Sequence, residues 1–236
     1  MATLYVIGTP IGNLEDMTFR AIRILREVDV LACEDTRQTR KLLTHFEIPR
    51  PSQMFSCNQI NEHNSKQGIL KLLDAGRSVG LVSDAGMPGI SDPGYQVVSA
   101  ALEAEHHVEV IPGPSASITA LIASGLPASS FYFVGFPPRK PGRRKKVLTA
   151  LQNIEATLLF FESPHRLGAF LADAHEVLGD RPAAVSIELT KKFEGTERTG
   201  LAELAERYAD QTVRGEVTVT IAGLHKALKK PDPIFG

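Results

Sequence analysis

An α/β fold is the class this sequence predicts, and three observations carry the prediction. Short apolar runs alternate with segments of helical periodicity along almost all of the 236 residues. A hydrophobic fraction of 43% is enough to fill a core and argues against disorder. Segments rich in glycine and proline follow several of the apolar runs, where a chain leaving a strand must turn.

The elements follow in order. Residues 4–8 read as a buried strand. Phe19, Ile22 and Leu25 recur at helical spacing, with Asp16 or Thr18 as N-cap. A second strand covers 28–33 and a second helix 36–46. A weak strand at 53–56 precedes a helix over 65–75. Then come a strand at 78–83, a helix at 94–105 and a strand at 108–111. This βαβ grammar predicts a mostly parallel sheet with helices on its faces. Pro112, Gly113 and Pro114 interrupt it. Beyond them the spacing predicts a helix at 115–124, a strand at 131–136 and a helix that includes 147–151. A strand at 157–161 and a helix at 164–178, with proline in its first turn, come next. Strands at 183–189 and 216–222, the latter alternating, flank a helix at 201–208. We expect two α/β lobes, 1–113 and 114–224, and a basic, proline-rich tail at 225–236 that frays.

Net charge is −1, so nucleic-acid contact requires a local basic patch. Cys33 and Cys57 are the two cysteines and show no CxxC or Cys/His spacing. That argues against a disulfide framework or a metal site and suits a reducing cytosol. No signal-type segment or long apolar span is visible, and a soluble, cytoplasmic protein is expected.

Three turn-rich loops each follow an expected strand: GTPIGN from Gly8, SDAGMPGISDPG from Ser83, and PGPSA from Pro112. In open α/β sheets ligands bind outside the carboxyl ends of strands, and glycine there lets backbone approach a ligand. Ordinary βα turns are the plain alternative. Neither a GxGxxG fingerprint nor a P-loop is present, which removes support for a pyrophosphate or triphosphate site. The residues alone thus lead to a two-lobed ligand-binding enzyme.

The twelve residues 83–94 resemble the signature of the ribosomal RNA small subunit methyltransferase I family, within the tetrapyrrole methylase superfamily. TPIGNL at 9–14, EDTR at 34–37, PGPSA at 112–116 and SGLP at 124–127 resemble further family motifs. So do ESPHR at 162–166, ELTK at 188–191 and GEV at 215–217. The likeness spans roughly residues 4–223. Many members continue with a further helical segment; the sequence given reaches Gly236, and RNA contacts made by such a segment are not carried over.

The resemblance implies a tetrapyrrole-methylase-like fold, with a mainly parallel N-terminal sheet and a mixed C-terminal sheet. It also implies S-adenosyl-L-methionine held between the lobes, largely by backbone groups. By position, the cofactor-binding residues would be Pro10, Ser83, Asp84, Ala85, Met87, Ser115 and Ala116. From the C-terminal lobe they would be Phe161, Glu162, Leu189, Gly215, Glu216 and Val217. Met87 and Leu189 would offer apolar walls, and Asp84 could instead form a local turn or cap. The implied reaction is methylation of a cytidine ribose 2′-oxygen in the decoding region of 16S ribosomal RNA, by a homodimer.

A neutral hydroxyl benefits from a general base. Glu34 and Asp35 are the candidates, with Arg37 placed to hold a phosphate; a surface ion-pair group is the plain alternative. His165 and Lys191 are rivals with ready structural explanations. Arg139, Lys140, Arg143, Arg144, Lys145 and Lys146 place six positive charges in eight residues, just after Phe131, Tyr132, Phe133 and Phe136. They are the candidate RNA contacts, against the alternative of a solvated loop. Two other functions compete: a superfamily methylase acting on a tetrapyrrole or on a modified histidine of a translation factor, and a non-catalytic RNA-binding assembly factor. The long 83–94 loop with EDTR favours the RNA branch, and retention of every cofactor loop argues against the binding module.

Overall fold

The computed structural model describes residues 2–211 and 213–224; the tail expected to fray, 225–236, lies outside them. The chain divides into two compact units, Met1–Ser115 and Ala116–Gly236. No helix among the described residues is long and apolar enough to cross a membrane.

The first unit is built on strands β1 (Thr3–Ile7), β2 (Val30–Cys33), β3 (Gln53–Ser56), β4 (Val79–Val82) and β5 (His107–Ile111). They form one sheet in the order β3-β2-β4-β1-β5, and every pairing is parallel. Every residue of the central strands β2 and β4 is buried, the mark of a sheet covered on both faces. Helices α1 (Phe19–Glu27) and α2 (Thr36–His45) pack Ala21, Ile24, Leu25 and Leu43 against Ile7, Leu31, Cys33 and Val82. On the other face α3 (Glu62–Asp74) and α4 (Tyr95–Glu103) pack Ile69, Leu73, Val97 and Ala101 against Leu4, Val6, Val30, Val79 and Leu81. The alternation of facing residues along each strand sends neighbours to opposite cores. Thr18 is the N-cap of α1, its hydroxyl accepting from the Ala21 N–H at 3.1 Å. Asp16 lies instead in a short 3₁₀ turn, Leu14–Asp16.

The second unit opens with α5 (Ala116–Ser124). It then runs β6 (Phe131–Gly135), α6 (Pro141–Leu151), β7 (Thr157–Glu162), α7 (Leu167–Leu178), β8 (Pro182–Ile187), β9 (Gly195–Gly200), α8 (Leu201–Arg207) and β10 (Val217–Ile221). Its sheet has the order β6-β7-β10-β8-β9. Only β6 and β7 pair in parallel; the other three pairings are antiparallel, so the sheet is mixed. Helices α6, α7 and α8 bury Leu148, Phe170, Leu171, Leu201 and Leu204 against Phe160, Val185 and Val219. Helix α5 lies against β7, β8, β9 and β10.

Four details differ from the sequence reading. Strand β9, reading GTERTG, was not foreseen, because an edge strand without apolar alternation leaves no periodic signal. The helix expected at 164–178 begins as a 3₁₀ turn, Pro164–Arg166. Strand β10 does not alternate in exposure: all five residues are buried, since it is the central strand of its sheet. The basic run is not a loop from end to end, because α6 starts at Pro141 and carries most of it.

Candidate functional site

Because β1, β2, β4 and β5 run in parallel, the loops that leave them emerge at one edge of the first sheet. Three of these loops are knitted together. The N–H of Thr9 donates to the Gly86 carbonyl at 2.9 Å, and the N–H of Gly86 returns a bond to the Thr9 carbonyl at 3.1 Å. The Thr9 hydroxyl donates to the Ser83 carbonyl, and the Ser83 hydroxyl to that of Ala85. A Cβ at position 8 would stand 2.6 Å from Met87 Sδ and 2.7 Å from Gly113 Cα, so glycine is what allows this approach. Pro10 and Ser83 are buried, Ala85, Met87 and Ser115 are half-buried, and Asp84 is exposed at the rim. Ala116 begins α5 and is half-buried. Gly8, Thr9, Gly86 and Gly113 are not among the cofactor-binding residues that the sequence singles out, yet they make the contacts that shape this cradle. The tell-tale was a glycine at each strand end.

The EDTR residues join the same edge at the end of β2. Asp84 Oδ1 accepts from the Asp35 N–H at 3.0 Å, and the Asp84 N–H donates to Glu34 Oε2 at 3.2 Å. The two segments therefore brace each other. Asp35 is also the N-cap of α2: its Oδ1 accepts from the Arg37 N–H at 2.8 Å, and its carboxylate holds the Arg37 guanidinium through Nε and Nη2. The Arg37 side chain, 82% exposed, is otherwise open to solvent.

This geometry separates the two carboxylates electrostatically. The Arg37 side-chain and backbone hydrogen bonds pull Asp35 down to about 2. Burial pushes the Glu34 carboxyl above its ordinary value; the Asp84 N–H opposes that, and the charges of Asp84 and Asp35 add to it. Burial likewise raises Asp84, against the Asp35 N–H. Of the pair, Glu34 is the stronger base.

In the second unit the ends of β7, β8 and β10 bring together a second group. Glu162 is buried; its Oε1 accepts from the Ser163 N–H at 2.6 Å and from Arg166 Nε at 2.8 Å. Its Oε2 is buried with no hydrogen-bond partner among the described residues. Val217 sits opposite both Glu162 and Ile187 in the sheet. Leu189, buried, lies between two residues of left-handed backbone, Glu188 (φ 52) and Thr190 (φ 66). Lys191 fastens this turn by donating to Glu188 at 2.7 Å and to Glu216 at 3.2 Å. Burial lowers the lysine and the two carboxylates more than offset it, leaving its pKa above the ordinary value. Gly215 (φ 94) faces the Glu188 side chain so closely that a Cβ there would collide with it. Phe161 is half-buried and stacks edge-on with Phe133, ring centroids 4.9 Å apart. His165 is exposed. Arg166 and Glu188 were missed as partners by the sequence reading, although each stands at a helical or turn spacing from a residue it singled out.

The basic run is not uniform. Arg139, Lys140, Arg143 and Lys146 are exposed and form no ion pair with a described residue. Lys145 reaches Glu176 at 2.6 Å. Arg144 corrects the expectation of six surface cations. It is buried, with Nη2 2.5 Å and Nε 2.7 Å from Asp173, and further bonds to the carbonyls of Arg139 and Ala169. One helical turn in from Lys140, position 144 faces the core of the unit rather than solvent.

The family described as Tetrapyrrole (Corrin/Porphyrin) Methylases matches residues 3–205. A protein of Micromonospora olivasterospora named ribosomal RNA small subunit methyltransferase I is 50% identical over 226 residues, covering 95% of this chain and 72% of its own. A protein of the same name from Thermotoga maritima is 43% identical over 223 residues, covering 94% of this chain and 99% of its own. Among solved structures, uroporphyrin-III-C-methyltransferase from Thermus thermophilus aligns with a TM-score of 0.65 at 21% identity, over 93% of this chain and 94% of that one. A structure of the enzyme from the same organism complexed with S-adenosylhomocysteine aligns at 0.63 and 20% identity, over 93% and 97%. At that identity the structural likeness speaks to the fold alone.

Proposed function

The chain belongs to the tetrapyrrole methylase family and, within it, to the ribosomal RNA small subunit methyltransferase I family; from that premise we propose that it methylates a ribose 2′-oxygen of 16S ribosomal RNA, using S-adenosyl-L-methionine. The target is a cytidine of the decoding region. The observation that carries this reading is the likeness, along nearly the whole chain, to proteins named as methyltransferases of small-subunit ribosomal RNA. A homodimer and a cytoplasmic setting belong to the same proposal.

The residues present fit the cofactor. The Gly8–Gly113 approach leaves backbone groups of three loops crowded at one sheet edge, a surface suited to a ligand read by main chain. In the second unit, Glu162 Oε2 and the Thr190 hydroxyl are buried without hydrogen-bond partners among the described residues. An unmet buried polar atom is unfavourable, and amino groups of the kind this cofactor carries would satisfy both. By the family likeness, the residues proposed to hold it are Pro10, Ser83, Asp84, Ala85, Met87 and Ser115 of the first unit, and Ala116, Phe161, Glu162, Leu189, Gly215, Glu216 and Val217 of the second. When bound, S-adenosyl-L-methionine supplies an electrophilic methyl group on a sulfonium.

What the chain itself contributes is a proton acceptor and an orientation. Glu34 accepts the ribose hydroxyl proton. Asp35 keeps its charge, caps α2 and aims Arg37, whose exposed guanidinium can contact an RNA phosphate. Arg139, Lys140, Arg143 and Lys146 contact the RNA backbone elsewhere. Replacing these four by glutamine should weaken RNA binding and reduce the slope of log affinity against log salt by up to about 3, at about 0.7 per lost contact on single strands. Cofactor affinity should stay at the wild-type value. An unchanged slope would make the four cations merely solvated.

A small-molecule methylase is the competing reading, since the structural neighbours are named for tetrapyrrole substrates. Methyl-labelled S-adenosyl-L-methionine offered with small ribosomal subunits and with uroporphyrinogen in parallel decides between them. Label in the RNA fraction is expected; label in the tetrapyrrole alone would overturn the proposal. Absence of cofactor binding by calorimetry would favour a non-catalytic assembly factor.

A further inference from the structure

A groove of about 470 Å³ runs along the edge of the first unit, between β3 and α3. It lies outside the cofactor loops and the EDTR group. Phe55 and Leu72 give it apolar walls, Gln53 and Asn64 give it amides, and Lys71 gives it one cation. No carboxylate lines it among the described residues. Glu62, at the start of α3, is buried, and its Oε1 accepts from the N–H groups of Gly94 and Gln96 instead.

Gly68 also lines the groove and stands in the interior of α3. Glycine is a poor helix former. Here no positive φ calls for it, and a Cβ at this position would find no heavy atom within 4 Å. Packing does not require glycine at 68, and its effect is to leave the groove open. The groove also communicates with the catalytic edge. Asn61, another lining residue, donates from Nδ2 to the Ser56 carbonyl at 3.0 Å, and the Ser56 hydroxyl donates to the Glu34 carbonyl at 3.1 Å.

We propose that this groove binds one nucleotide of a single-stranded RNA segment flanking the ribose presented to Glu34. The proposal rests on the RNA-methylation reading above. Phe55 and Leu72 meet a face of the base, the amides of Gln53 and Asn64 meet its polar edge, and Lys71 meets a phosphate. Without a carboxylate in the lining, nothing there repels the RNA backbone.

The test is binding of a labelled short single-stranded RNA oligonucleotide to the full chain. Gly68→Leu fills the groove with a residue that favours the helix, so thermal melting should be unimpaired. It should weaken RNA affinity about tenfold, as the loss of one stacked base does, and flatten preference among oligonucleotides that differ at the flanking base. Lys71→Gln leaves the shape intact and should reduce the salt slope by about 0.7. Cofactor binding by calorimetry should be unchanged in both variants. Wild-type RNA affinity, base preference and salt slope in the two variants would overturn the proposal while leaving RNA methylation standing. Failure of the wild-type chain to bind RNA at all would overturn both.

Discussion

Glu34→Gln should lower the single-turnover rate of methyl transfer by about 10²–10⁴-fold, the usual contribution of a general base, with cofactor affinity near wild type. Glu34 is the half-buried carboxylate at the end of β2, and burial holds its pKa above the ordinary glutamate value of 4.5. Its neighbour is a poorer base. Asp35 is held near 2 by Arg37 and is occupied in capping α2. Asparagine keeps a capping oxygen, so Asp35→Asn should fold normally and lose far less rate than Glu34→Gln. Equal losses in the two variants would assign the base role to the pair; a full rate in Glu34→Gln would remove it from the mechanism.

The direction of the Glu34 shift fixes a pH dependence. A base works only when deprotonated, so the rate should fall as pH drops through the Glu34 pKa. Because that pKa is raised, the acid limb should lie above the value for an ordinary glutamate. Asp84→Asn removes one of the charges that disfavour the ionised form, so the limb should move to lower pH. Single-turnover rates across pH report both.

Arg144→Ala should destabilise the protein by about 3–5 kcal/mol, read as a lower urea midpoint with an unchanged slope. Arg144 and Asp173 form a buried pair, their side chains 3% and 12% exposed. Removing the arginine leaves a buried carboxylate whose remaining cation, Lys145, stands 3.5 Å away. Replacing both partners together, Arg144→Met with Asp173→Leu, should recover most of the loss, because no uncompensated charge is then left inside. Lys146→Gln, on the exposed side of the same helix, should change stability by no more than about 0.5 kcal/mol. The loss of RNA affinity should follow the opposite order, large for the exposed four and small for folded Arg144→Ala.

These two residues also mark how far the sequence could be read. The strands of the first unit were legible because a parallel sheet covered on both faces writes each strand as a short apolar run, as at 30–33 and 79–82. The same logic missed β9, whose Thr, Glu and Arg carry no such signal; only its partner β8 keeps it in the sheet. Glu34, Asp35 and Arg37 could be placed at the sheet edge from topology. Which carboxylate is the stronger base could not, since that depends on the burial of Glu34 and on the Arg37 guanidinium beside Asp35. Charge counts treated Arg144 like its neighbours; only the register of α6 turns it inward against Asp173. The Gly8–Gly113 approach joins positions far apart in sequence and was invisible as a pair.

We propose that this chain places a methyl group on a ribose oxygen of 16S ribosomal RNA. The most direct test is incubation of the purified protein with small ribosomal subunits and deuteromethyl-labelled S-adenosyl-L-methionine, followed by nuclease digestion and mass spectrometry. Labelled 2′-O-methylcytidine in a decoding-region fragment is expected, and none with Glu34→Gln on the same time scale. Label on a base carbon or nitrogen, or no label in RNA from an enzyme that binds the cofactor, would contradict it.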